Sequence, residues 1–309
     1  MNTAPYLLHA LSPLHAGTGQ ALDVVDLPIA RLRGTGIPIV PGPSVKGVLR
    51  EALRPPAESA PEYKSWRAVF GPEQSRASEH AGALVVGDAR LLALPVRSLR
   101  GTFAWVSSPL LLDLARRDIG PGAPPAVPPF VDAGGGARVA AVSGVGASIN
   151  LHSRATKGDK AGGERWLFLE ELDLKVEASS EVAAWVAWLS PSVEPDKNAL
   201  LFTQRFAVVD DETMTFLWET ATQVDARVRL NEETRTVARG ALWMEESLPP
   251  ETLLLGLLAA EQSRYREKGM SPRDVLDLTL TGERTLQFGG KASVGRGRCR
   301  ILRLPGGEA

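Results

Sequence analysis

Cysteine and histidine are scarce here: one cysteine, Cys299, and four histidines, His9, His15, His80 and His152, in 309 residues. With no cysteine pair there is no disulfide framework, and the Cys/His spacings of a structural zinc site are missing. Nor is there an excess of positive charge: 35 Lys and Arg face 36 Asp and Glu, a formal net charge of −1. A chain that gripped nucleic acid over its whole surface would carry a basic excess, so any such site has to be a local patch. No apolar run reaches membrane-spanning length, and no basic-then-apolar signal pattern opens the chain. A reducing, cytoplasmic setting without membrane contact is the expectation.

What is present is a globular composition, 44% hydrophobic and 23% charged, long enough for one large or two modest domains. Strands are expected at Tyr6–Leu11, Ala83–Leu94 (bent at Gly87-Asp88), Gly101–Ser107, Trp166–Val176, Thr252–Ala259, Thr285–Phe288 and Arg298–Leu304. Helices are expected at Ser44–Leu53, Glu62–Phe70, Pro109–Arg117, Ser179–Leu189 and Ser271–Leu278, several of them bracketed by Pro or Gly. Val224–Leu230 and Thr236–Glu246 flank the polar NEETR and read as a long β-hairpin. Ile119–Arg138 and Lys157–Gly163 read as loops. Strands and helices mix without regular βαβ alternation, which predicts an α+β sheet with insertions.

The chemistry concentrates between His9 and Leu53. Pro41-Gly-Pro-Ser-Val-Lys46-Gly opens a helix, and a helix N-terminus offers free N–H groups and partial positive charge to a phosphate. Ser44 and Lys46 add a hydroxyl and a cation there. Arg31, Arg33, Lys46, Arg50 and Arg54 form a basic series around the same segment, readable as a solvated face or as a phosphate-facing row suited to bidentate pairing. A second glycine-rich stretch, Phe288 to Arg298, interleaves Gly289, Gly290 and Gly295 with Lys291, Arg296 and Arg298 and suits a phosphate cradle. It is neither a Walker loop nor a dinucleotide fingerprint, because the residues that complete those motifs are missing. Asp26 reads either as a turn cap or as a group that orients a ribose hydroxyl, acts as a base or holds a metal. His15 alone is a minor candidate, and the paired acids Glu245 and Glu246 read as surface residues. The seven tryptophans read mostly as core and Cys299 as structural.

SPLHAGTG (12–19), VVDLPI (24–29), PGPSVKGVLR (41–50), FGP (70–72), AGALVVGDARLLALPVRSLRGTFAWVSSPLLL (81–112), RVRLNEETRTVARGALWMEE (227–246) and LQFGGKASVGRG (286–297) together resemble the backbone subunits of the type III-B (Cmr) CRISPR effector complex, within the RAMP superfamily. The resemblance implies one domain over 1–309. That domain would be a modified RRM-like (ferredoxin-like) palm with inserted regions near 54–80 and 118–165 and a hairpin thumb near 224–246. It implies copies stacked as a helical filament on a guide CRISPR RNA (crRNA), in company with other Cmr subunits. The thumb would displace target nucleotides at regular intervals, and the palm would cut the complementary target RNA with Mg²⁺ or another divalent cation. By position, it implies catalytic roles for Asp26, His15 and Glu245. Guide contact would fall to Ser44, Lys46 and the glycines 289, 290 and 295, with Arg50, Arg31, Arg33, Lys291 and Arg296 as the basic lining. The chain departs from its relatives at Gly34, where a His is common, and at Ser247, where some carry Tyr. A guide-RNA scaffold without cleavage and a CRISPR RNA-processing endoribonuclease are the alternatives.

Overall fold

The computed structural model describes residues 1–17, 25–76, 78–120, 124–129, 139–144, 147–152, 165–194, 196, 200–231 and 233–306. In chain order, β1 (Asn2–Ala10) is followed by β2 (Ile39–Val40), α1 (Gly42–Ala52) and α2 (Tyr63–Phe70). In α1 the buried Val45 and Leu49 fall four apart on one side, and Pro43 occupies its first turn, where no N–H is needed. The apolar run 83–94 is broken at Gly87-Asp88 into β3 (Leu84–Val86) and β4 (Ala89–Arg97). The Tyr6 hydroxyl donates to the Gly87 carbonyl at 2.9 Å and holds that bend. Next come β5 (Phe103–Ser107), α3 (Pro109–Ile119), β6 (Val139–Val142), β7 (Leu151–His152), β8 (Arg165–Leu169), β9 (Leu172–Ala178) and α4 (Ser180–Val193). β10 (Phe206–Val209), α5 (Asp211–Thr220), β11 (Gln223–Leu230), β12 (Val237–Ser247), β13 (Leu253–Ala260), α6 (Pro272–Thr279), β14 (Arg284–Gln287) and β15 (Arg298–Arg303) complete the chain.

Most expected elements appear within a few residues of their expected ends. Trp166–Val176 is the exception: it is not one strand but the tight hairpin β8–β9, turning at Glu170, whose φ of 49° lies in the left-handed region. Most of Ile119–Arg138 and all of Lys157–Gly163 lie outside the described residues.

The strands β15-β1-β13-β4 are neighbours in that order, and each adjacent pair is antiparallel. Ranked along the chain they stand 4-1-3-2, with α1 between the first and second and α6 between the third and fourth. That is the βαββαβ arrangement of a ferredoxin-like palm. The sheet continues from β4 through β5, β10, β6, β9 and β8 to β7, while β11 and β12 form a separate two-stranded sheet.

Both faces of the palm are covered. Tyr6, Leu8 and Leu254 pack with Val45, Leu49 and Val275 from α1 and α6. On the other face Leu7, Leu253 and Leu255 pack with Leu112 and Ala115 of α3 and Val182 and Trp185 of α4. An RRM that stacks bases on its sheet needs one open face with aromatics. Here both faces are covered, and among the described residues the loops and edges of the sheet are what remain open. No helix among the described residues is long and apolar enough to cross a membrane.

Candidate nucleic-acid interface and cleavage site

Strand β12 organises the site. One of its edges pairs with β11; the other would be an open row of backbone groups, which a fold has to satisfy. Segments from near the N-terminus do so in sequence. The Met244 N–H donates to Asp26 Oδ2 at 2.7 Å. The Met244 carbonyl accepts from Leu27 N–H at 3.1 Å, and the Glu246 N–H donates to the Leu27 carbonyl at 3.0 Å. The Glu246 carbonyl accepts from His15 Nδ1 at 2.7 Å. Leu248 and Leu14 then exchange both backbone bonds, at 2.9 and 2.8 Å. Asp26 and His15 therefore hang on one strand edge two residues apart, about 7 Å of strand.

The partner of His15 fixes its chemistry. A carbonyl only accepts, so Nδ1 carries the hydrogen and Nε2 holds the lone pair of the neutral ring. The ring lies against Gly17: a Cβ there would sit 2.6 Å from Nε2. Asp26 is exposed and its Oδ2 is anchored by Met244. This is a carboxylate at the surface with a fixed root.

Glu245 and Glu246 are both buried, at 1% and 5% exposure, and not surface residues as their pairing suggested. They point to opposite faces of β12 because strand side chains alternate. Glu246 ties the hairpin root to the chain beneath it. Its carboxylate accepts from Ile29 N–H at 3.0 Å, from Arg31 at 2.6 Å and from the Thr222 hydroxyl at 2.9 Å. Glu245 faces three cations: Arg296 Nε at 3.3 Å, Lys291 Nζ at 3.4 Å and Arg227 Nε at 3.9 Å.

The glycine-rich loop packs directly on the His15 segment. Gly290 N–H donates to the His15 carbonyl at 3.0 Å. Gly289 has φ +68°, and a Cβ there would come within 2.3 Å of the same carbonyl, so only glycine fits. Between this loop and α1 lies an open cleft of ≈ 450 Å³ lined by Ala16, Gly17, Pro41, Ser44, Gly47, Val48, Gly289 and Gly290. Its walls are small side chains and backbone, which allows close approach of a sugar–phosphate chain. Lys291 beside it holds φ 67°, a costly conformation for a non-glycine residue, and half-exposes its ammonium.

The residues expected to line an RNA track divide. Ser44, Gly289 and Gly290 line the cleft, Gly295 is exposed in the adjoining loop, and Arg33 is exposed without an ion-pair partner among the described residues. The other cations are engaged within the protein. Lys46 donates to the Leu84 carbonyl at 2.7 Å, and burial pushes its ammonium pKa down, with Arg50 adding to the effect. Arg50 donates to the carbonyls of Phe70 and Pro72 at 2.9 and 2.8 Å and stacks on Trp66. Arg31 holds Glu246 and the Trp218 carbonyl. Arg54 pairs with Glu73 at 2.6 Å. Arg296 is 4% exposed. The N-terminus of α1 is occupied too: Gly42 N–H donates to Asp88 Oδ1 at 2.7 Å, Pro43 has no N–H, and Ser44 N–H donates to the Pro41 carbonyl at 2.9 Å. What remains there for a ligand is the Ser44 hydroxyl. Asp88 and Asp225, which shape this site, carried no sequence signal for that role, and Ser247 stood out only as a departure from relatives.

No group of three or more His, Cys, Asp or Glu that could hold a metal ion occurs among the described residues. Asp26 offers one unanchored oxygen, and the charge of Glu245 is already matched by cations. The described side chains do not by themselves build a divalent-cation site.

Residues 7–300 match the family model of the RAMP superfamily. The chain is 33% identical over 297 residues to the CRISPR system Cmr endoribonuclease Cmr4 of Pyrococcus furiosus, covering 95% of this chain and 93% of that protein. The chain belongs to the Cmr4 family of the RAMP superfamily. The crystal structure of oligomeric Cmr4 from Pyrococcus furiosus superposes with a TM-score of 0.67 at 25% identity, covering 98% of each chain. A chain of the type III-B Cmr-beta cryo-EM structure bound to cognate target RNA shares the fold, with a TM-score of 0.69 at 19% identity over 97% of this chain and 96% of that one.

Proposed function

We propose that the chain is a repeated backbone subunit of a cytoplasmic type III-B CRISPR ribonucleoprotein that holds guide crRNA and cleaves complementary target RNA at regular intervals. Family membership supports the subunit role. The observation that carries cleavage is the strand edge on which an exposed carboxylate, Asp26, and an imidazole with a defined tautomer, His15, stand beside a glycine-lined cleft.

The reaction proposed is attack of a target ribose 2′-hydroxyl on the adjacent phosphate. An O2′–P bond forms, the P–O5′ bond breaks, and the O5′ leaving group takes a proton. Asp26 accepts the 2′-hydroxyl proton, and His15 Nε2, when protonated, supplies the one that O5′ needs. Glu245, enclosed by cations, orients the site and donates no proton. The guide passes through the cleft against Ser44, Gly289 and Gly290, with Arg33 and Lys291 at its rim. The divalent cation implied by the resemblance would need ligands beyond these side chains, and no step is routed through it.

The hairpin suits a thumb. Val224, Val228, Leu230, Val237 and Leu242 are all about half exposed or more. A two-stranded hairpin is marginal alone and gains by pressing an apolar face on a partner such as unstacked bases.

Asp26→Asn tests the reading. Asn retains an oxygen for the Met244 N–H but loses the charge. In a reconstituted complex, guide binding should stay intact while cleavage of a labelled complementary RNA falls ~10²–10⁴-fold. Near-normal product bands would rule out Asp26 as the catalytic group. A wild-type complex that binds target without cutting it would leave the scaffold role alone.

A further inference from the structure

We propose that Arg296 is a positioning residue for cleavage: its guanidinium clamps the glycine-rich loop to the hairpin root and thereby sets the strand edge that carries His15 and Asp26. The proposal rests on the nuclease reading above and adds to it a residue that does not touch RNA.

Arg296 is 4% exposed, so it has no free face for a phosphate. Its guanidinium reaches three partners on the two hairpin strands, two by hydrogen bonds and one as an ion pair. Nη1 donates to the Ser247 hydroxyl, Nη2 to Asp225 Oδ2 at 2.5 Å, and Nε pairs with Glu245 Oε1 at 3.3 Å. Asp225 and Glu245 stand directly opposite each other in the β11–β12 ladder. Like charges in that relation repel, and the guanidinium between them turns repulsion into a clamp. The Arg296 bond is also the leading cause that holds the Asp225 carboxyl below its ordinary range.

The clamp matters because of what lies between its jaws. Segment 13–15 is bonded on one side to the loop, through Gly297 N–H to the Pro13 carbonyl at 2.8 Å and Gly290 N–H to the His15 carbonyl at 3.0 Å. On the other side it is bonded to the hairpin strand, through Leu14 to Leu248 and His15 Nδ1 to the Glu246 carbonyl. The spacing of loop and strand therefore determines where the imidazole sits relative to Asp26. Lys291 also bridges loop and strand, but it is partly solvated and reaches one oxygen only, and solvated pairs contribute little. Arg296 makes the buried, three-point contact.

The test uses the reconstituted complex with Arg296→Met, Arg296→Lys and the double variant Arg296→Met/Asp225→Asn, well below their unfolding temperatures. Arg296→Met should load guide within a few-fold of wild type and cut target ~10²-fold more slowly, the scale of a small misplacement of reacting groups. Removing one of the two opposed carboxylates, as the double variant does, removes their repulsion and should restore part of that rate. Arg296→Lys, which keeps the charge without the fork, should fall between, and it reads the proposal if the Met variant does not fold. A wild-type rate in Arg296→Met would overturn the proposal. Tryptic cutting at Arg227 and Arg229 supplies a readout independent of nuclease activity. It should accelerate in Arg296→Met, and an unchanged rate would overturn the clamp. Wild-type cleavage by Asp26→Asn would instead count against the nuclease reading, while the tryptic result still judged the clamp.

Discussion

Because His15 donates Nδ1–H to a carbonyl, its Nε2 is the only ring nitrogen left to exchange a proton with RNA. His15→Asn can keep a donor near the Glu246 carbonyl while losing that nitrogen. Its cleavage rate should fall ~10²-fold or more, measured in single turnover. A near-wild-type rate would assign the leaving-group proton to another group. Gly17 guards the same ring, so Gly17→Ala, with its Cβ 2.6 Å from Nε2, should displace the imidazole and lower cleavage. Cys299 is fully buried, and that burial pushes its thiol up to about 12. The folded protein should resist a thiol reagent at pH 8 and react once denatured; fast labelling of the native chain would contradict that burial. Such residue-level placement was partly legible. Ser44, Gly289 and Gly290 meet at one cleft, as the two glycine-flanked stretches suggested. The cations do not, because whether an Arg faces solvent or a carbonyl depends on partners remote in sequence. Arg50 is satisfied by carbonyls twenty to twenty-two positions away and Arg31 by Glu246.

Elements were more legible than contacts, because helix ends are marked by local chemistry. Ser179, Asp210 and Ser271 each cap a helix, and Ser271 with Asp274 completes a capping box. The strand at Phe206–Val209 has no sequence signature, because four residues are too few to show a period. The hairpin was visible, but its pairing was not. The register shifts between Val228 and Leu230, so extending the Leu230–Val237 pairing from the tip puts Leu242 opposite Asp225, whereas Glu245 occupies that place. A β-bulge thus concealed the acid pair on which Arg296 acts. At this scale Arg50 stabilises an element junction: it binds the carbonyls ending α2 and stacks on Trp66. Arg50→Met should cost roughly 1.5–3 kcal/mol, the range for hydrogen bonds to a charged group, read as a lower denaturant midpoint. Its RNA affinity should show an unchanged salt slope, since a smaller slope would place the guanidinium on the RNA.

At the scale of the whole molecule, a near-neutral chain with both palm faces covered leaves, among its described residues, one cleft and one hairpin for a polyanion. Its affinity per copy should then be low, with tight binding arising from several copies on one guide. Salt dependence makes this quantitative. Of the eight cations that the sequence places in the two basic stretches, Arg31, Lys46, Arg50, Arg54 and Arg296 are bonded within the protein, leaving Arg33, Arg298 and the partly exposed Lys291. For single-stranded RNA the slope of log affinity against log salt is about −0.7 per phosphate neutralised, so three cations predict about −2.1 per copy and eight would give about −5.6. Titrating guide onto the isolated subunit at several salt concentrations separates the two. Arg33→Ala should flatten the slope by a further ~0.7, because one phosphate fewer is neutralised. A slope near about −5.6 would mean that the buried guanidinium groups turn outward onto RNA. In that event the Arg296 clamp would open on guide binding, and the strand edge bearing His15 and Asp26 would be set by the RNA and not by the fold.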